Sequence, residues 1–295
     1  MSELVRIAPE VEEALAAGAA VVALETTLVS HGFPHGEGLG VALDCEKRVR
    51  AAGAVPATVG VLDGRIRVGL EPGELERFAA SPDARKVGPR DLAACATQGA
   101  VGATTVGGTL AVARATGLRF MGTGGLGGVH RGFAETLDVS ADLGELARTP
   151  TLVVSSGVKS ILDVPATAEV LETLGVPVLG WRTDEVPLFY RAGGGPPVSA
   201  RIETVEEAAR VAKAHWQLGR GGALLARPPD SSLDVEPLIA DGVREAERQG
   251  VRGQSVTPFL LAFLHDRSGG ETIEANKRLI ADNAALAAAV AVAYT

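Results

Sequence analysis

Residues 151–181 read TLVVSSGVKSILDVPATAEVLETLGVPVLGW, and this stretch decides the fold class. The short apolar run at 151–155 predicts a buried strand. A helix is predicted over 161–174, where Gly175 closes it, and a second strand over 177–181. A strand, a helix and another strand in this order form the unit that connects parallel strands of one sheet.

The same alternation continues on both sides of this stretch. Further strands are predicted over residues 21–24, 119–121 and 222–226, and further helices over residues 8–17, 40–52, 205–218 and 274–294. Residues 59–68 are predicted to form a hairpin, because Asp63-Gly64 lies between two alternating arms. The sequence therefore predicts an α/β fold in a single large domain, residues 1–295, with a mostly parallel sheet flanked by helices.

Composition disfavours several classes of function. The formal net charge of -8 argues against binding to nucleic acid or to an anionic membrane surface. The most apolar stretch, residues 284–294, is shorter than the about 20 residues that span a bilayer. Cys45 and Cys95 lack a metal-binding or redox spacing, so we expect two buried, reduced thiols and a cytoplasmic protein.

Lysine is scarce in this chain, since only five of its 28 basic residues are lysines. Lys159 follows the predicted strand 151–155 and has apolar flanks. It could be a buried ion-pair partner, or a lysine whose stem alone is buried. It could also be a desolvated amine with a lowered pKa, which would attack a carbonyl carbon as a Schiff-base nucleophile.

Glu25 ends the apolar strand predicted over 21–24. A carboxyl group in a partly apolar pocket has a raised pKa and can act as an acid. The alternative is a structural role, as a helix cap or a salt-bridge partner.

Residues 122–132 form a glycine-rich loop, GTGGLGGVHRG, after the strand predicted over 119–121. Gly122, Gly124 and Gly127 match GxGxxG, which permits a dinucleotide-binding interpretation. The residues after Gly127 interrupt the helix that such a motif requires. We therefore favour a loop of backbone N–H donors suited to a phosphate or a sugar. Because Glu25, this loop and the Ser156–Lys159 segment all follow strands, they are expected to converge on one site.

The run from Asp138 to Asp142 offers two further candidates. Asp138 could hold a hard divalent ion through oxygen. Ser140 could bind phosphate, or it could simply cap a helix that begins at Ala141. His31, His35 and His130 lack zinc-site spacing and are interpreted as polar pocket residues.

Several motifs, taken in order, resemble the pseudouridine-5'-phosphate glycosidase family, which includes indigoidine synthase A-like proteins. The resemblance covers nearly the whole chain. Its motifs lie at residues 23–32, 86–92, 102–106, 123–132, 138–143, 157–163, 183–185, 257–259, and 276 with 282–284.

This resemblance implies an enzyme that reversibly splits pseudouridine 5'-phosphate into uracil and ribose 5-phosphate through a lysine–ribose imine, a pseudouridylate synthase of the carbon–oxygen lyase class. It implies that Glu25 is the proton donor, that Lys159 is the nucleophile and that Asp138 holds one Mn²⁺ per subunit. It also implies a cytoplasmic α/β homotrimer with no nucleic-acid or membrane partner. The substrate contacts that it implies are Lys86, Val106, Ser140, Ala141 and Asp142. We add Thr123, His130 and Asn283 as further candidate contacts.

The chain departs from the family pattern at two places. His35 and Gly38 replace an aromatic residue and an Asn, and Gly88 and Pro89 replace a Ser and an Arg. These changes affect expected contacts with the base and the phosphate. Two other functions stay open on the sequence alone: a dinucleotide-binding oxidoreductase and a non-catalytic sugar-phosphate-binding protein.

Overall fold

The computed structural model describes residues 3–34, 36–251 and 256–295. Its strands are β1 (Val5–Ile7), β2 (Val21–Glu25), β3 (Val55–Leu62), β4 (Arg65–Val68), β5 (Arg85–Val87), β6 (Gly102–Thr104), β7 (Phe120–Gly122), β8 (Val129–His130), β9 (Leu152–Ser155), β10 (Leu162–Asp163), β11 (Val178–Trp181), β12 (Ala200–Ile202) and β13 (Ala223–Ala226). Its helices are α1 (Pro9–Ala16), α2 (Thr27–His31), α3 (Glu37–Ala51), α4 (Pro72–Ala79), α5 (Leu92–Thr97), α6 (Val106–Thr116), α7 (Phe133–Thr136), α8 (Ala141–Arg148), α9 (Val164–Thr173), α10 (Val205–Gln217), α11 (Glu236–Arg248), α12 (Val256–Arg267) and α13 (Glu271–Tyr294).

One large sheet has the strand order β1-β4-β3-β2-β7-β9-β13-β11-β12. Every neighbouring pair along this path is parallel except the β3–β4 hairpin. Strand β6 pairs antiparallel with β3 and also holds β5. The prediction of an α/β fold with a mostly parallel sheet is confirmed, as is the hairpin at Asp63-Gly64.

Helix α13 packs against the centre of the sheet at β2, β7 and β9, beside α3 and α10. The approach is close because small residues face the sheet. A Cβ atom on Gly122 would lie 2.7 Å from the Ala284 Cα atom, so β7 has no room for a side chain there. A second group of helices includes α6, which packs against β2, β3 and α8.

The helix predicted over 161–174 starts later than expected. Residues Leu162–Asp163 instead form β10, which pairs antiparallel with β8. The Asp163 side chain then caps α9, because its Oδ1 accepts a hydrogen bond from Ala166 N at 3.0 Å. Helix α12 was not predicted from the sequence, because its apolar residues do not form a single stripe.

Two expectations from composition can be compared with the structure. Cys45 and Cys95 are both buried and unpaired, as predicted. In the described residues, no helix is both long enough and apolar enough to cross a membrane.

Candidate active site

A cavity of about 730 Å³ opens at the carboxyl ends of β2, β7 and β9. These three strands are adjacent and parallel, so the residues that follow them meet at one edge of the sheet. Glu25, Thr123 and Lys159 all line the cavity. The predicted convergence of three separate segments is therefore confirmed.

Glu25 is the buried last residue of β2. Thr123 Oγ1 donates a hydrogen bond to Glu25 Oε1 at 2.5 Å. Burial raises the pKa of Glu25 above its ordinary value, although the Lys159 charge and the Thr123 hydroxyl oppose that shift. The carboxyl group is thus poised to retain a proton.

Lys159 is half-buried on the turn that follows β9. Its backbone N–H donates to the Leu126 carbonyl at 3.1 Å, and the Leu162 N–H donates to the Lys159 carbonyl at 3.0 Å. Its stem passes close to the glycine-rich loop, since a Cβ on Gly125 would lie 3.1 Å from Lys159 Cγ. The nucleophile candidate is therefore packed against the loop.

Lys86, in β5, lies on the wall of the same cavity. Burial lowers the pKa of Lys86, and the positive charge of Lys159 lowers it further. The carboxyl groups of Asp142 and Glu25 act in the opposite direction. Two lysines in one cavity form a local positive region in an acidic protein, which suits a phosphorylated ligand.

Five backbone amides of the glycine-rich loop donate hydrogen bonds within the protein. Thr123 N, Leu126 N and His130 N donate to the carbonyl oxygens of Val154, Gly157 and Asp138. Gly127 N donates to Asp142 Oδ2 and Val129 N to Thr167 Oγ1, both at 2.9 Å. These five donors therefore have acceptors within the protein, whereas Gly124 and Gly125 line the cavity, and the interpretation of the loop as a donor for a phosphate or a sugar stays a prediction.

The glycines of this loop also permit close packing. Besides Gly122 against Ala284, a Cβ on Gly125 would lie 2.6 Å from the Phe189 ring, and Gly128 has the Thr167 side chain against it. Strand β8 lies within this loop, so no helix opens directly after the GxGxxG match at Gly127. This arrangement disfavours the dinucleotide-binding interpretation of the GxGxxG match.

Asp142 joins the loop to helix α6. Its Oδ1 accepts from Gly107 N at 2.7 Å, and its Oδ2 accepts from Gly127 N at 2.9 Å. The carboxylate lines the cavity but is bonded to two backbone amides. Asp142 therefore positions two parts of the site, and its direct contact with substrate stays a prediction.

Ser140 caps α8, because its Oγ accepts from Asp142 N at 3.2 Å. The structural alternative for Ser140 is thus confirmed, and Ser140 and Ala141 also line the cavity. Val106 differs from the expectation, since its side chain is buried outside the cavity lining and the preceding Thr105 lies there instead.

His130 and Asp138 lie side by side on the cavity wall, with His130 Nδ1 at 3.8 Å from Asp138 Oδ2. Burial lowers the pKa of His130, while Asp138 acts in the opposite direction. Within the described ranges, no group of three or more His, Cys, Asp or Glu residues could enclose a metal ion. Asp138 could still serve as the single protein carboxylate of an ion that keeps water ligands.

Asn283 does not reach the cavity, which corrects its expected role as a base contact. It is fully buried, and its Nδ2 donates to Thr123 O at 2.9 Å and to Ser156 Oγ at 3.1 Å. Asn276 lies seven residues earlier in α13. It lines the cavity, and its buried Oδ1 has no hydrogen-bond partner. An unpartnered amide oxygen at a cavity wall is a candidate ligand contact.

Comparison with known proteins identifies the family. The family model described as "Indigoidine synthase A like protein" matches residues 10–293. The chain belongs to the indigoidine synthase A-like family. A protein named pseudouridine-5'-phosphate glycosidase from Herpetosiphon aurantiacus is 48% identical, over 99% of this chain and 98% of the relative. A protein of the same name from Myxococcus xanthus is 47% identical, over 98% of each chain.

The chain is also similar to a solved structure. The prealnumycin C-glycosynthase AlnA, crystallised in complex with ribulose 5-phosphate, superimposes with a TM-score of 0.91 at 40% identity. The match covers 100% of this chain and 98% of AlnA. Both the sequence and the chain fold are thus shared over the full length.

The departures from the family pattern have different structural consequences. Gly38 does not line the cavity, and a Cβ there would lie 2.5 Å from the Val29 carbonyl oxygen. Gly88 and Pro89 do line the cavity, and Gly88 N donates to Asp91 Oδ2 at 3.1 Å. His35 lies outside the described residues.

The sequence did not predict the hydrogen-bonding state of His31 or the position of Asn276 on the cavity wall. His31 lines the cavity, as expected of a polar pocket residue, and its Nε2 is buried without a partner. Burial lowers the pKa of His31, and the Lys86 charge adds to the effect. The spacing of Asn276 and Asn283 by seven residues was the available signal, because it places both on one side of α13 at different heights.

Proposed function

We propose that this protein reversibly cleaves the C–C bond of pseudouridine 5'-phosphate to give uracil and ribose 5-phosphate. The observation that carries the proposal is the pairing in one cavity of a buried carboxyl group with a raised pKa, Glu25, and a lysine amine, Lys159. The curated relatives support it by their name, and AlnA supports it by its complex with a pentose phosphate.

The reaction requires an amine because a C–C glycosidic bond has no leaving heteroatom to protonate, so a pair of carboxylates is poorly suited to it. In our proposal, Glu25 protonates the ribose ring oxygen, the Lys159 amine adds to C1', and the ring opens. The bond from C1' to uracil C5 then breaks, and its electron pair leaves with the uracil, which takes up a proton. The sugar stays on Lys159 as an imine until water releases ribose 5-phosphate.

The phosphate would lie between Lys86 and the start of α8. Ser140 and Ala141 form the first turn of this helix at the cavity wall, and such a terminus attracts anions. Lys86 lines the same cavity and would supply positive charge to the phosphate. Gly88 and Pro89 stand where the family pattern has a Ser and an Arg, but Arg90 also lines this part of the cavity, so Lys86 and Arg90 would share the phosphate binding.

The base would lie at the opposite end of the cavity, between α2, α12 and α13. The apolar side chains of Leu28, Leu261 and Ile280 line that end. The Asn276 amide is the polar group there, and an amide matches the alternating donors and acceptors of a uracil edge. We therefore assign the base contact to Asn276 in place of Asn283.

A divalent ion such as Mn²⁺, one per subunit, would be held by Asp138 together with water and substrate oxygens. A single carboxylate with waters is a common donor set for hard ions. When bound, the ion would supply positive charge that orders the phosphorylated sugar and the nearby water. His130 lies beside this carboxylate, with its Nδ1 3.8 Å from Asp138 Oδ2.

The variant Asp138→Ala tests this assignment. We expect bound Mn²⁺ per subunit and turnover to fall together, because the variant loses the only carboxylate that we assign to the ion. Metal content after dialysis against Mn²⁺ measures the first quantity directly. An unchanged metal content would remove Asp138 from the ion site.

We also propose a homotrimer in the cytoplasm. Three apolar side chains near the cavity mouth, Phe133, Leu137 and Val139, are exposed, and Leu137 is 73% exposed. Exposed apolar residues grouped in this way are typical of a subunit contact. Light scattering of the purified protein measures the assembly, and a mass equal to one 30.2 kDa chain would contradict it.

The function is tested by synthesis in the reverse direction. The protein is incubated with uracil, ribose 5-phosphate and Mn²⁺, and we expect a product with the mass and chromatographic behaviour of pseudouridine 5'-phosphate. Binding of the sugar phosphate with no product would favour a non-catalytic binding protein. Copurified NAD with no product would favour an oxidoreductase.

A further inference from the structure

The Arg131 side chain lies on the outer side of the turn that carries Lys159. Its Nη2 donates to the Ser160 carbonyl oxygen at 3.1 Å. The same guanidinium pairs with both carboxylate oxygens of Glu236, from Nη1 at 2.7 Å and from Nη2 at 3.1 Å. One planar group thus joins the backbone beside the nucleophile candidate to the first residue of α11.

The inner side of this turn is held by backbone bonds to the glycine-rich loop. Lys159 N–H donates to the Leu126 carbonyl, and β10 pairs with β8 immediately after the turn. Arg131 follows β8 directly in the chain. Its side chain therefore fastens the outer side of a turn whose inner side is already fixed.

Glu236 extends this connection to the helices beside the cavity. Helix α11 packs tightly on α12, since a Cβ on Gly242 would lie 3.0 Å from the Phe263 ring and 3.1 Å from Leu260. Helix α12 contributes Thr257, Pro258 and Leu261 to the cavity lining. The bond from Arg131 to Glu236 therefore links the base end of the cavity to the Lys159 turn.

We propose that Arg131 is a positioning residue, which holds the Lys159 amine in its attacking orientation and makes that orientation depend on the docking of α11 and α12. Arg131 does not line the cavity, so it acts through Ser160 and not by touching substrate. The proposal rests on the proposed function for the role of Lys159. Small misplacements of a reacting group cost large factors in rate, so such a residue affects the chemical step more than binding.

Arg131→Lys and Arg131→Ala test the proposal through the separation of kcat from KM. Lysine cannot make the two-pronged bond and the Ser160 bond at once. We expect kcat to fall roughly 10-fold in Arg131→Lys and roughly 100-fold in Arg131→Ala, with KM for pseudouridine 5'-phosphate changed less than about threefold. Glu236→Gln should lower kcat in the native background and should add nothing in the Arg131→Ala background.

The matched control is Arg50→Lys, because Arg50 forms the same two-pronged pair with Glu10 on the surface, at 2.5 and 2.7 Å. This variant should keep the native kcat. A kcat loss in Arg50→Lys equal to that in Arg131→Lys would overturn the proposal. So would a rise in KM with kcat unchanged in the Arg131 variants.

Hydrogen exchange separates a failure of this proposal from a failure of the proposed function. In Arg131→Lys, the backbone amides of the peptide spanning residues 156–163 should exchange faster than in the native protein, whether or not the protein cleaves pseudouridine 5'-phosphate. Unchanged exchange in that peptide would overturn the positioning role even if the enzyme is active.

Discussion

Two opposing effects set the protonation of Glu25. Burial favours the neutral acid, while the Lys159 charge and the Thr123 hydroxyl favour the carboxylate. Burial prevails, so the pKa lies above 4.5, the ordinary value. The proton needed for ring opening is therefore present below the raised pKa and is lost as the pH rises through it.

Glu25→Gln tests this balance in activity. Glutamine keeps the shape and a hydrogen-bond donor but cannot deliver a proton, so substrate should still bind. We expect kcat to fall by roughly 10²–10⁴-fold, the usual range for a general acid. In the native protein, kcat should fall as the pH rises through the raised pKa of Glu25. This fall should be absent from the pH profile of the variant. Native turnover across the pH range would mean that Glu25 is only structural.

The same variant has a predicted effect on stability. Between pH 4.5 and the raised pKa, Glu25 ionises in the unfolded chain while it stays protonated in the folded one. The folded state therefore loses stability as the pH rises through this window. Glu25→Gln should remove that loss. As the pH rises through this window, the free energy of unfolding should therefore decline less in the variant than in the native protein. Parallel slopes of Tm against pH in the two proteins would contradict this expectation.

At the scale of elements, helix α13 carries two asparagines with different roles, one in the structure of the loop and one at the cavity. Asn283 lies beneath the glycine-rich loop and donates to its carbonyl oxygens, whereas Asn276 lines the cavity. The Oδ1 atom of each side chain is buried without a hydrogen-bond partner. Both lie in one family motif, so the sequence indicated that the segment matters. The sequence could not distinguish the two asparagines. The glycine-rich loop covers one of them and leaves the other at the cavity, and the sequence does not show how far the loop extends over the helix.

The two asparagines should separate binding from folding. Asn276→Ala should raise the KM for uracil in the synthetic direction roughly 10-fold, the equivalent of one lost hydrogen bond, with little change in Tm. Asn283→Ala should lower the free energy of unfolding by about 1–3 kcal/mol, because it leaves buried polar groups unpaired. Kinetics in uracil and thermal unfolding of both variants measure these effects. The opposite pattern would restore Asn283 as the base contact.

The glycine-rich loop likewise depends on close packing at its start. Gly122→Ala should destabilise the protein by about 1–3 kcal/mol, since the new methyl group would meet the backbone of Ala284. The control is Gly40→Ala in helix α3, where an added Cβ meets nothing within 4 Å. This change should stabilise the protein by about 0.5–1 kcal/mol. Denaturant unfolding measures both effects. Equal changes in the free energy of unfolding would show that packing against α13 is not what requires a glycine at position 122.

For the whole molecule, the sequence predicted the sheet and the place of the site well. Apolar strands alternating with amphipathic helices require a parallel sheet, and residues after parallel strands meet at one edge. This is why Glu25, the loop and Lys159 could be placed together from the sequence. The amide partners of the loop, the role of Asp142 and the start of α9 depend on contacts between distant segments, such as Gly107 N with Asp142, and no local pattern encodes them.

The central claim is that this molecule breaks a C–C bond through an imine on Lys159. The most direct measurement is to incubate it with pseudouridine 5'-phosphate in the presence of borohydride, with Lys159→Ala as the control, and to analyse the peptides by mass spectrometry. We predict release of uracil and a reduced ribose 5-phosphate adduct on Lys159 in the native protein, with neither in the variant. Uracil release without any adduct, or an adduct on another lysine, would contradict the account.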